Sequence, residues 1–118
     1  MNYERSAKNQ YFLDLADLNG RTDVIEFMKG KFDGKYYHAD AKYIGIYEVA
    51  SLGMFIPFRA VYPHYDEYCD VEISPQQWDT IVNAAKECSN VVQDMLIELN
   101  DWMTEALNEY GCVSVLGV

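Results

Sequence analysis

Residues 74 to 111 read SPQQWDTIVNAAKECSNVVQDMLIELNDWMTEALNEYG, and the fold turns on how this stretch is interpreted. Ser74, Pro75 and Gln77 have the spacing of an N-cap, a proline at the first helical position and the far partner of a capping box. Ile73 before the cap and Trp78 after it are placed for a hydrophobic staple. From Trp78, the residues Ile81, Ala85, Cys88, Val92, Met95, Leu99, Trp102 and Ala106 recur at alternating spacings of three and four, and Val82, Leu96, Met103 and Tyr110 widen the stripe. Gly111 supplies the stop. Unbroken from Pro75 to Tyr110, such a helix would be roughly 54 Å long, against a diameter of about 35 to 40 Å for a compact chain of this size. Either it breaks near Cys88, Ser89 and Asn90, where Asn90 and Gln93 offer a second cap, or it projects and buries its end against another molecule.

Working outward, the texture before this segment is that of strands. Tyr43 to Val49 and Met54 to Tyr62, separated by Ala50-Ser51-Leu52-Gly53, read as an antiparallel hairpin, with Pro57 marking an edge or a bulge. Tyr68 to Ile73 supplies a third strand and Cys112 to Leu116 a short final one. Tyr11, Phe12, Leu15 and Leu18 fit a short helix ending at Asn19-Gly20, although Leu13 and Leu15 would also suit a strand entering an Asn-Gly turn. Thr22 or Asp23 caps a second short helix through Val24, Ile25, Phe27 and Met28, interrupted by Gly30 and Gly34. The fold class that results is α+β: a small antiparallel sheet packed on a long C-terminal helix, with short N-terminal helices. With 118 residues, half of them hydrophobic, residues 1–118 form a single domain able to build a core without staples.

Charge is distributed unevenly over this plan. After residue 60 eleven acids face one base, Lys86, whereas residues 1–60 carry eight of each sign, so the net charge of −10 sits on the second half. A surface of one sign attracts and orients a basic partner and repels nucleic acid and anionic membranes. On the helical segment the polar face carries Asp79, Lys86, Glu87, Asp94, Glu98, Asp101, Glu105 and Glu109. Asp94 with Glu98, Asp101 with Glu105, and Glu105 with Glu109 are like charges at i,i+4, each costing a few tenths of a kcal/mol in an isolated helix. Glu105 and Glu109 also lie at the negative end of the helix dipole. Repeated local instability in one direction marks a candidate binding face, against the competing reading of a solvated face that keeps the protein soluble. A second candidate is the loop Tyr62, Tyr65, Asp66, Glu67 and Tyr68, where tyrosines among acids suit contact with a basic surface.

Signatures of chemistry are scarce. His38 and His64 lie in no zinc or protease motif, and pairings with Asp40 or Asp66 read as turn residues in water. Cys69, Cys88 and Cys112 cannot all pair within one chain and match no zinc spacing, so reduced thiols of a cytoplasmic protein are expected. Gly30-Lys31-Phe32-Asp33-Gly34-Lys35 lacks the phosphate-loop spacing. The stretch Met1 to Lys8 lacks the apolar core of a signal peptide, and no apolar run approaches the roughly 20 residues of a membrane span. The expectation is a binding protein rather than an enzyme, with no cofactor and no metal.

In charge, size and tyrosine content the chain resembles the small acidic immunity proteins that bacteria direct against nuclease toxins, and phage-type inhibitors of nucleic-acid-binding defence proteins. Glu109-Tyr110-Gly111-Cys112 followed by Val113-Ser114-Val115-Leu116 is similar to the helix-to-strand ending of the barstar family of ribonuclease inhibitors, whose central tyrosine, asparagine and tryptophan pattern is absent. The resemblance implies an antitoxin or immunity function by nucleic-acid mimicry, in which Asp94, Glu98, Asp101, Glu105 and Glu109 with the tyrosine loop occupy the basic groove of a nuclease toxin or defence protein. In size and charge the chain is also similar to the homodimeric chaperones of type III secretion. That likeness implies an assembly adaptor dimerising through the seam of Met95, Leu99, Trp102 and Met103, so both monomer and homodimer stay open.

Overall fold

In a computed structural model describing residues 10–118, the segment from Ser74 to Gly111 is a helical hairpin. The elements run β1 (Val24–Lys29), β2 (Lys42–Gly45), α1 (Ile46–Leu52), α2 (Phe55–Phe58), β3 (Val71–Ile73), α3 (Pro75–Ala85), α4 (Asn90–Tyr110) and β4 (Val113–Leu116). The N-terminal stretch read for a leader lies outside the described residues.

The capping box at the start of α3 is formed: Ser74 Oγ accepts from the Gln77 amide at 3.2 Å, and Gln77 Oε1 accepts from the Ser74 amide at 2.9 Å. The helix breaks where length required, and Ser89 rather than Asn90 caps α4, accepting from the Val92 amide at 3.3 Å. At its other end Gly111 takes φ 82°, a left-handed conformation that a side chain resists. Folding back lets the hairpin fit within a body of 37 × 34 × 26 Å.

All the strand pairs are antiparallel, in the order β2-β1-β4-β3. The inward face of the sheet, with Ile25, Phe27, Ile44, Ile73, Val113 and Val115, packs on Met95, Leu99 and Met103 of α4 and on Phe58 and Trp78. The opposite face is not left to water. Leu18, Val24, Ala41 and Tyr43 make a second buried cluster there with Leu13 and Leu15.

Three expectations change. Val24–Lys29, expected to be helical, is a central strand. It is covered on both faces, and a doubly buried strand is a continuous apolar run without the alternation that identifies a half-buried one. The hairpin expected from Tyr43 to Tyr62 is instead one short strand followed by α1 and α2. Its Ile, Tyr, Val and Phe residues favour strands, but the capping glycine Gly53 at φ 89° and the burial of Val49, Met54 and Phe58 override propensity. Pro57 lies in the single turn of α2, where a missing amide hydrogen loses no helical bond. The helix expected over Tyr11 to Leu18 shrinks to a 3-10 turn at Leu15–Asp17, while Leu13 pairs with Tyr43 through bonds of 2.7 and 2.9 Å.

Candidate functional site

Helix α4 directs most of its own acids outward. Met95, Leu96, Leu99, Met103, Ala106 and Leu107 are buried on one side, so residues on the opposite side of the 3.6-residue period point to solvent. Asp94, Asp101, Glu105 and Glu109 are all exposed there, as are Asp79 on α3 and Glu87 in the turn. Among the described residues none of these six carboxylates has an ion pair. Glu98 differs from its neighbours. Its carboxylate accepts the backbone amides of Gln10 at 2.9 Å, Tyr11 at 3.0 Å and Phe12 at 2.8 Å, pinning the segment that leads Phe12 into the core. It serves the fold, so the exposed stripe without such contacts is Asp94, Asp101, Glu105 and Glu109.

Beside this stripe α3 and α4 leave a trough of about 440 Å³, walled by Val82 and Ala85 from one helix and Leu96 and Ile97 from the other. Ile97 stands 72 % exposed, and Asp101 and Lys86 border the opening. Trp78 donates its indole hydrogen to Asn100 Oδ1 at 3.0 Å, fixing the two helices against each other at one end.

The tyrosine loop is built differently from its expected role. Tyr65 is 3 % exposed and lies in the core against Phe55 and Phe58. Tyr62 is half-buried, its hydroxyl donating to the Glu72 carbonyl and accepting from Gln77 Nε2. Asp66 Oδ1 accepts from the Tyr68 amide at 2.9 Å, closing a turn, and the Glu67 carbonyl accepts from the Val118 amide at 2.8 Å. Tyr68, 72 % exposed, is left as the free aromatic surface of this loop. No hydrogen bond, ion pair or ring contact among the described residues joins the loop to the acidic stripe.

The seam proposed for dimerisation is consumed within the chain. Met95, Leu99 and Met103 are at most 1 % exposed. Trp102 donates to the Asp40 carbonyl at 3.1 Å and carries the Lys29 ammonium over its ring at 6.0 Å. A dimer built on these residues would have to open the core.

A polar centre that sequence reasoning missed lies on the outer face of the sheet. Glu26, 3 % exposed between Ile25 and Phe27, accepts the backbone amides of Tyr37 at 2.7 Å and His38 at 2.9 Å and bonds His38 Nδ1 at 2.6 Å. His38 Nε2 lies 3.0 Å from Asp33 Oδ2. The Tyr43 hydroxyl is 2.6 Å from the His38 carbonyl and 3.3 Å from Glu26, so its single hydrogen goes to the nearer carbonyl. With a carboxylate at each ring nitrogen, the protonated form of His38 has an acceptor for both of its N–H groups. Burial pulls its pKa down, but the hydrogen bonds and charges of Glu26 and Asp33 outweigh that and leave it raised above 6.5. Asp33 is lowered, first by His38 and then by the Lys35 amide. His38 therefore pairs with Asp33 and Glu26 rather than standing in water beside Asp40.

A cavity of about 340 Å³ opens next to this centre, between Tyr36, Tyr37 and Val118. Every donor on Glu26 comes from the loop itself, so the carboxylate fastens residues 31–41 over the sheet. The backbone is held tightly there, with Tyr37 at φ 68° although it is not glycine. The signal in the sequence was a lone acid inside an apolar run, Val24-Ile25-Glu26-Phe27-Met28. The cysteines sit in less regular places than expected: Cys69 in a loop, Cys88 in the turn between α3 and α4, and Cys112 just before β4, all as free thiols.

Among the described residues no group of three or more His, Cys, Asp or Glu is placed to hold a metal ion, and no helix is long and apolar enough to cross a membrane. No protein-family model, curated protein or solved structure matches the chain.

Proposed function

We propose that this chain is an acidic binding protein that occludes the basic, nucleic-acid-binding surface of a partner such as a nuclease toxin or a defence protein. The observation that carries the reading is the stripe of Asp94, Asp101, Glu105 and Glu109, exposed and without ion pairs among the described residues. Neighbours three or four apart on a helix are about 5 to 6 Å apart, close enough for the stripe to stand in for a run of phosphates. Association is steered by charge and weakened by salt. Tyr68 offers an additional aromatic contact where the partner extends past the helix.

The test is capture from the native host lysate at low and physiological salt, followed by displacement. A variant carrying Asp94→Asn, Asp101→Asn, Glu105→Gln and Glu109→Gln is the control, with Glu98 left intact because it holds the fold. A basic, nucleic-acid-handling protein retained by wild type alone, and released from its nucleic acid on binding, supports occlusion. Equal retention by both forms makes the stripe a solvated face and ends this reading.

A further inference from the structure

A stripe of exposed carboxylates steers a partner well but holds it poorly, because each exposed ion pair contributes little in water. Tight interfaces draw their affinity from a few apolar or aromatic side chains desolvated in pockets. The trough between α3 and α4 lies next to the stripe and has the character of such a pocket. Val82 and Ala85 form one wall, Leu96 and Ile97 the other, enclosing about 440 Å³. Ile97 projects at 72 % exposure from the same surface as the acids. Asp94 and Asp101 stand three positions before and four after it, so they flank it along the helix.

We infer that the trough is an anchor site for one bulky apolar side chain of a basic partner segment, with lysine or arginine within a helical turn of the anchor. The inference rests on the occlusion reading and adds the sequence chemistry of what is occluded. Charge complementarity selects this occupant over others. A second copy of the chain would bring another net charge of −10 against the Asp94 and Asp101 carboxylates that flank Ile97. An apolar segment without cations would leave Asp94 and Asp101 uncompensated as water is excluded around them. Lys86 borders the trough from the α3 side and Asp101 from α4, so the partner's cations nearest the anchor lie over α4. The segment is oriented as well as bound.

The experiment is a selection of short random peptides displayed on phage against the purified protein at low salt. Enriched peptides are then measured against wild type, Ile97→Ser, Val82→Phe and Asp94→Asn/Asp101→Asn. Ile97→Ser removes the exposed lip without touching the core, and Val82→Phe fills the trough from its wall. The expected result is a consensus pairing a large apolar residue with nearby lysine or arginine. Affinity should fall by about tenfold or more in Ile97→Ser and Val82→Phe, the loss expected for a desolvated anchor, and by less, in a salt-dependent way, in Asp94→Asn/Asp101→Asn. Basic peptides with no apolar position, sensitive to the acids but indifferent to Ile97 and Val82, overturn the anchor while leaving occlusion standing. Apolar peptides indifferent to the acids overturn both. An empty selection overturns the anchor and leaves occlusion to the capture experiment. A wild-type mass in light scattering twice that of the chain, returning to monomer in Ile97→Ser, overturns it in favour of a second copy.

Discussion

Acids of similar appearance have opposite roles in this protein, and the difference lies in what each carboxylate touches. Glu98 accepts amides from Gln10, Tyr11 and Phe12, whereas Asp94 and Asp101 on the same helix accept nothing from the described chain. Glu98→Ala should therefore destabilise by about 1.5 to 3 kcal/mol, the range for hydrogen bonds to a charged group, and Glu98→Gln by less because one acceptor oxygen remains. Asp94→Asn and Asp101→Asn should change stability by no more than about 0.5 kcal/mol. Urea denaturation of the four variants separates the two groups, and equal losses in all four would refute the assignment. The Glu26–His38–Asp33 clasp carries a pH dependence whose sign follows from its shifts. His38 is raised above 6.5, so its contribution is complete below that value and is lost as pH rises through the raised pKa. Asp33 is lowered below 3.8, so its contribution is complete above that value and is lost as pH falls through the lowered pKa. The clasp is strongest between those two limits. An NMR titration should place His38 above 6.5, and His38→Phe should abolish the alkaline decline in stability. A His38 that titrates at or below its ordinary value would contradict the clasp.

Element boundaries were legible wherever a local backbone requirement set them. The capping box at Ser74 and the stop at Gly111 appear in the sequence as residues that satisfy a helix end, and both occur in the fold; the break near residues 88–90 was one of two alternatives, and Ser89 rather than Asn90 caps the helix that follows it. These caps can be weighed individually. Ser89→Ala removes the acceptor for the Val92 amide and should lower stability by about 1 kcal/mol. Gly111→Ala meets no atom within 4 Å, so its penalty, again about 1 kcal/mol, is purely conformational. Thermal melts of both variants test this, and a negligible loss for Gly111→Ala would mean that the left-handed cap relaxes freely. Elements set by tertiary environment were not legible. β1 resembled a helix because burial on both faces erased its alternation, and α1 resembled a strand because its side chains are β-formers placed on a helix by their neighbours. The candidate site divides along the same line. The i,i+4 acids of α4 were visible as a helical stripe, while the structural role of Glu98 depended on a partner 86 to 88 residues away in sequence. His38 likewise could not be matched to Glu26 before the strand and its covering loop were known.

At the scale of the molecule the second half of the chain supplies both the helical hairpin and strands β3 and β4, and the exposed carboxylates of the hairpin are separate from those of the loop before β3. Asp79 on α3 and Asp94, Asp101, Glu105 and Glu109 on α4 are exposed, while two bases of the first half, Arg21 and Lys42, pair with acids of that same half, Asp23 and Asp14. Among the described residues no base pairs with Asp94, Asp101, Glu105 or Glu109, which leaves the repulsion along α4 without a paired counter-charge. If that repulsion exists for binding, removing it should stabilise the protein. The variant Asp94→Asn, Asp101→Asn, Glu105→Gln, Glu109→Gln eliminates the three like-charge pairs at i,i+4 in which these residues take part, each destabilising by a few tenths of a kcal/mol, for a gain of about 1 kcal/mol at low ionic strength. Salt should narrow the gap, because i,i+4 charge effects on an exposed helix face are salt-dependent and are partly screened already within the Debye length of about 8 Å at about 0.15 M. Wild type should therefore melt higher as salt rises and the variant should respond less. If the variant is instead less stable than wild type at low salt, the carboxylates contribute to the fold, and the argument that they are held in reserve for a basic partner loses its physical basis.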